Sequence, residues 1–115
     1  MDMNRFLQHR LTNTVLEGLP GRRYEGRVSA VVPERVFNRF KLTSQETVPQ
    51  ITFEDGWLWI PNIGARRGLT AAWGADTDEW IGRRMAVYLC IVARTDKPTG
   101  RQVERWEKRV EVLPD

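Results

Sequence analysis

Three acids in one short stretch, Asp76, Asp78 and Glu79, have the spacing that first suggests chemistry. Alternate carboxylates are hard oxygen ligands for a divalent cation, but a calcium loop needs many more oxygens in order. The same residues form a capped helical turn: Asp76 starts it, Glu79 closes a capping box, and both acids face the positive end of the helix dipole. That second reading needs no ion, so no metal site is expected. His9 has neither a second imidazole nor a carboxylate at ligand spacing and reads as a surface residue. Cys90 is the single cysteine, which removes an intrachain disulfide and a thiolate metal site; its apolar neighbours make it a small core residue. The sequence has no phosphate loop ending in Lys-Ser/Thr, no nucleophile elbow and no His pair. The expectation is a non-catalytic protein without a cofactor.

Recognition chemistry is better represented. Trp57 and Trp59 alternate with Leu58 and Ile60, so one face of a strand carries two indoles. Two connections supply cations: Arg35, Arg39 and Lys41 in the first, Arg94, Lys97 and Arg101 in the second. A base stacked on an aromatic contributes about 1–3 kcal/mol, and cations add a salt-dependent term. These eight residues are the expected site for single-stranded nucleic acid. Two alternatives stay open. A register slip of one residue turns both indoles into the core. Exposed Trp with Arg also suits a protein interface, so a protein–protein interaction module or homo-oligomer without nucleic-acid binding is the other reading. The 18 Lys and Arg against 15 Asp and Glu leave a net charge of +3, which favours polyanions without demanding them. Only Lys41, Lys97 and Lys108 of those cations are lysine; arginine suits phosphate forks, and genome composition also produces such a bias.

Positioning these residues takes a β framework. Residues 1–20 hold a weak helical pattern through Leu7, Leu11 and Val15, ended by Gly18, Pro20 and Gly21, and read as a short helix or an arm. Residues 24–32 alternate with Val28, Ala30 and Val32 on one face, and Pro33 limits the ladder. Residues 38–49 form a polar connection. Residues 50–53 and 56–60 make a hairpin turned by Asp55-Gly56. Residues 65–73 are a helix with Leu69, Ala72 and Trp73 on one face, capped at Gly74, and the following turn brings Trp80 and Ile81 to the core. Residues 84–93 are a continuous apolar strand covered on both faces, and residues 94–101 a loop. Residues 102–113 alternate, with Trp106, Lys108, Val110 and Val112 on one side.

Five strands with a helix between the third and fourth is the order of an OB-fold barrel, whose ligands lie across strands 2 and 3 and the flanking loops. The expected organisation is an arm or short helix over residues 1–20 and one mainly β, five-stranded OB-fold-like barrel over residues 21–115. The runs Trp59-Ile60-Pro61-Asn62, Leu69-Thr70-Ala71-Ala72-Trp73-Gly74 and Asp76-Thr77-Asp78-Glu79-Trp80-Ile81-Gly82-Arg83 resemble those of a family of small phage and prophage proteins. Gly100 and the ending Val110-Glu111-Val112-Leu113-Pro114 extend the resemblance over residues 24–114. Gly64-Ala65 and Arg83 depart from the family's usual Thr-Asn and Lys. The resemblance implies an OB-like barrel and a phage genome context, not a settled activity; the expected partners are single-stranded nucleic acid and a phage or host replication or recombination protein. No segment has signal-peptide or membrane-spanning character, which places the expected protein in the cytoplasm, away from membranes.

Overall fold

The alternating and continuous apolar runs fold as strands, and a computed structural model describes residues 10–37 and 45–114. In chain order the elements are α1 (Asn13–Glu17), a 3-10 turn (Pro20–Arg22), β1 (Arg23–Phe37), β2 (Gln45–Phe53), β3 (Leu58–Trp59), α2 (Ile63–Trp73), a second 3-10 turn (Thr77–Trp80), β4 (Arg84–Thr95) and β5 (Gln102–Leu113). The strands form one five-stranded antiparallel sheet in the order β3-β2-β1-β4-β5. The protein is therefore mainly β, with a helix between its third and fourth strands. The expected closure is not in the ladders, because β3 and β5 are the two ends of that order. Another segment stands there. Arg10 makes a parallel bridge to Leu58, and the Leu11 N–H donates to the Leu58 carbonyl at 2.8 Å. The Lys108 Nζ on β5 donates to the Leu11 carbonyl at 3.4 Å.

Two departures from the expected strand pattern have local causes. The β1–β2 register shifts between Val28 and Ala30, a bulge at Ser29 that reverses the alternation beyond it. Val28 is buried, Val31 packs on the core, and Val32 is 47% exposed, so the face predicted as Val28-Ala30-Val32 is broken. Pro33 does not stop the strand either. It faces Pro49 across the ladder, and a proline pair fits wherever the missing N–H groups point away from the partner strand. β4 pairs with β1 only up to Arg27, and β3 with β2 only at Ile51 and Thr52, so those outer edges need no donor. Residues 45–49, expected in a connection, accordingly belong to β2. Beyond the shared sheet, β1–β2 and β4–β5 both continue as two-stranded ribbons.

The core contains Leu11, Leu16, Val28, Ile51, Phe53, Trp59, Leu69, Trp80, Met85 and Val87. α2 starts at Ile63, because Asn62 caps it by accepting the Ala65 N–H at 2.8 Å. Its buried face is Ala65 and Leu69 with Trp73 half-buried; Ala72, expected on that face, is exposed. Gly74 ends the helix at φ 96°, a backbone that a side chain would strain. Its carbonyl accepts the Trp80 indole N–H at 2.9 Å. Trp80 is buried as expected, whereas Ile81 is 50% exposed. Asp76 caps the second 3-10 turn through the Asp78 N–H at 3.0 Å, so the expected box with Glu79 is replaced by a tighter turn. Cys90 is half-buried on the face opposite Leu89. β4 is covered on both faces only near Ala86: Met85, Ala86 and Val87 are buried, and Ile91 is 52% exposed. Among the described residues no helix is long and apolar enough to cross a membrane.

Candidate functional site

Local chemistry builds a groove where the start of α2 meets β5. The Asn62 side chain that caps the helix also reaches β5, its Nδ2 donating to the Lys108 carbonyl at 3.5 Å. That contact fixes the helix start beside the strand and leaves an open groove of about 890 Å³ between them. Arg66, Arg94, Lys108 and Arg109 line it against one carboxylate, Glu107, and Ile63 and Trp106 supply apolar wall. Four cations against one anion give the lining a formal charge of +3. In a concave surface this concentrates positive potential.

Glu107 holds two of those cations. The Arg94 Nε and Nη2 donate to it at 3.0 and 2.8 Å, and the Arg109 Nη2 donates at 3.4 Å. The hydrogen bonds from Arg94, with the nearby positive charges, keep the Glu107 carboxyl below its ordinary pKa. Burial pushes the Lys108 ammonium below the usual lysine range. Trp106 lies opposite Ile91 in the β4–β5 ladder and is 37% exposed. The Arg22 guanidinium covers its ring at 4.6 Å from the centroid. Arg22 has φ 52°, alone among the described non-glycine residues in having a positive value.

Of the residues expected to form the site, those whose side chains are described, Trp57, Trp59, Arg94, Lys97 and Arg101, do not come together. Trp59 is 3% exposed and belongs to the core, so it is no stacking platform. Its partner in β2 is Ile51, itself fully buried, and the face shared by the two is the inner one. Trp57 is half-buried against Tyr24, ring centroids 6.3 Å apart. Arg35 pairs with Thr47 in the β1–β2 ladder, while Arg39 and Lys41 lie outside the described residues, as does His9. Arg94 is in β4, not in a loop, and reaches the groove. Lys97 and Arg101 are exposed in the β4–β5 turn and do not line it. Among the described residues a small cleft of about 160 Å³ lies by the expected strand 2–3 face, lined by Arg10, Gln50, Leu58 and Ile60 among others.

Sequence reasoning missed Arg66, Trp106, Lys108 and Arg109 as site residues. The last strand holds the signal: Trp106, Lys108 and Arg109 stand within four positions of a strand, whereas an OB-fold reading draws its cations from loops. Among the described residues no group of three or more His, Cys, Asp or Glu could hold a metal ion. No family model matches the chain, and no curated protein or solved structure proves similar to it.

Proposed function

We propose that the chain is a non-catalytic, cytoplasmic binding protein for single-stranded nucleic acid, with the strand lying in the α2–β5 groove. The observation that carries this reading is the groove lining: four cations against one carboxylate, beside an indole 37% exposed. Phosphates would meet Arg66, Arg94 and Arg109, and a base would stack on Trp106. The strand order, with its helix between β3 and β4, supports an OB-like barrel in which residues 10–12 complete the gap from β3 to β5. On this reading the ligand lies on the β5 side of the barrel, away from the strand 2–3 face. The phage and prophage resemblance adds a role as an accessory to replication or recombination.

Titrating a labelled oligonucleotide into the protein at two salt concentrations tests this. Neutralising three phosphates of a single strand gives a log–log slope near −2.1, so affinity falls about twenty-fold between roughly 50 and 200 mM salt. Trp106→Ala weakens binding about 5- to 150-fold with the fold retained. Absence of binding at low salt overturns the reading.

One observation favours a different class of function. Ile91 and Trp106 face each other across the ladder, 52% and 37% exposed, which suits an interface with another protein. Such a complex would be nearly indifferent to salt.

A further inference from the structure

We infer that Arg94 and Arg109 form a phosphate subsite within the groove, and that the Glu107 carboxylate occupies it until a backbone phosphate of a bound strand takes its place. This rests on the nucleic-acid reading above and deepens it. Arg94 approaches Glu107 as a fork: Nε and Nη2 reach one oxygen at 3.0 and 2.8 Å, and Nη2 reaches the other at 3.0 Å. Arg109 adds its Nη2 at 3.4 Å on the second oxygen. Two guanidiniums converging on a pair of anionic oxygens is also the arrangement that takes a phosphodiester, whose two non-bridging oxygens present the same acceptors.

Place and exposure agree with this. All three residues line the groove, and their side chains rise from the face of the β4–β5 ladder opposite to that of Trp106 and Lys108, with the β5 edge between them. The Arg94 and Arg109 side chains are 54% and 48% exposed and that of Glu107 is 29% exposed, so water reaches the pair and little holds it shut. Glu107 is tethered to β5, so it rotates aside while a phosphate enters. The incoming strand therefore competes with an anion of the protein's own.

The experiment compares wild type, Glu107→Gln and Glu104→Gln for binding of labelled oligo(dT) by fluorescence anisotropy across a salt series. Glu104 is exposed on the same strand outside the groove lining, and its substitution changes the net charge identically. Glu107→Gln is expected to bind roughly five-fold tighter than wild type, with a salt slope steeper by about one. Glu104→Gln changes affinity less than about two-fold. In an Arg94→Gln/Arg109→Gln background, the gain from Glu107→Gln disappears. Circular-dichroism melting checks that each variant is folded. Equal effects from Glu107→Gln and Glu104→Gln, weaker binding by Glu107→Gln, or a full gain without the arginines overturns the subsite alone. If neither wild type nor Glu107→Gln binds at low salt, the groove reading falls and takes the subsite with it.

Discussion

Tyr24 is 8% exposed, meets the Phe53 ring edge-on at 5.0 Å between centroids, and donates its hydroxyl to the Asp55 carboxylate. Burial first, and then the hydrogen bond to Asp55, raise its pKa far above the ordinary 10.0. The unfolded chain therefore loses this proton above pH 10.0 while the folded protein keeps it. Stability contributed by Tyr24 is complete below that pH and declines above it by about 1.4 kcal/mol per pH unit. Denaturant melts of wild type and Tyr24→Phe between about pH 9 and 11 read this directly. The variant is less stable by about 1 kcal/mol at neutral pH, and the gap closes as the solution becomes alkaline. A constant gap would show that the phenol titrates alike in both states. The same scale explains the two hairpin tryptophans. Alternation correctly separates Trp59 from Leu58, but it does not say which face is inner. Ile51 across the ladder decides that, and a cross-strand neighbour is not visible in a local pattern.

Residues 10–12 act as an element although no strand name attaches to them. Leu11 is 2% exposed in the core, its N–H is bound to Leu58 and its carbonyl to Lys108. Leu11→Ala should cost about 2–5 kcal/mol by urea melting, far more than a frayed arm would show, and a loss under about 0.5 kcal/mol would mean the segment is only resting on the sheet. Weak apolar spacing at Leu7, Leu11 and Val15 leaves helix and arm equally open, and docking is decided by the uncapped edge of β3. Other elements were readable because their chemistry is local. Asp55-Gly56 turns the β2–β3 hairpin with Gly56 at φ 96° and the Phe53 N–H on the Trp57 carbonyl at 2.8 Å. Asn62 and Gly74 bound α2 for similar reasons. The bulge at Ser29 and the Pro33–Pro49 pair were not readable, since both depend on partners about twenty residues away. The groove was hidden for the same reason: α2 and β5 meet only in three dimensions.

At the scale of the molecule, both hairpins outgrow the sheet they share. β1 pairs with β4 over residues 23–27 only, yet the β1–β2 ladder reaches Phe37 and the β4–β5 ladder reaches Thr95. The radius of gyration, 15.4 Å, exceeds the roughly 13 Å of a compact chain this long. Hydrogen bonds in such ribbons have no third strand beside them, so local opening is easier there than in the shared region. Amide exchange should therefore reach residues 31–37 and 89–95 well before residues 85–88. Uniform protection along β4 would show instead that the sheet opens as one unit. The bond from Lys108 to Leu11 joins positions 97 residues apart. The whole stretch between them, and Lys108 itself, must leave the ribosome before that link can form, and loop closure over so long a span is slow. Until then the side of residues 10–12 that faces β5 has no cover, although the Leu58 side is already paired, so chaperone capture during synthesis would matter most in that interval.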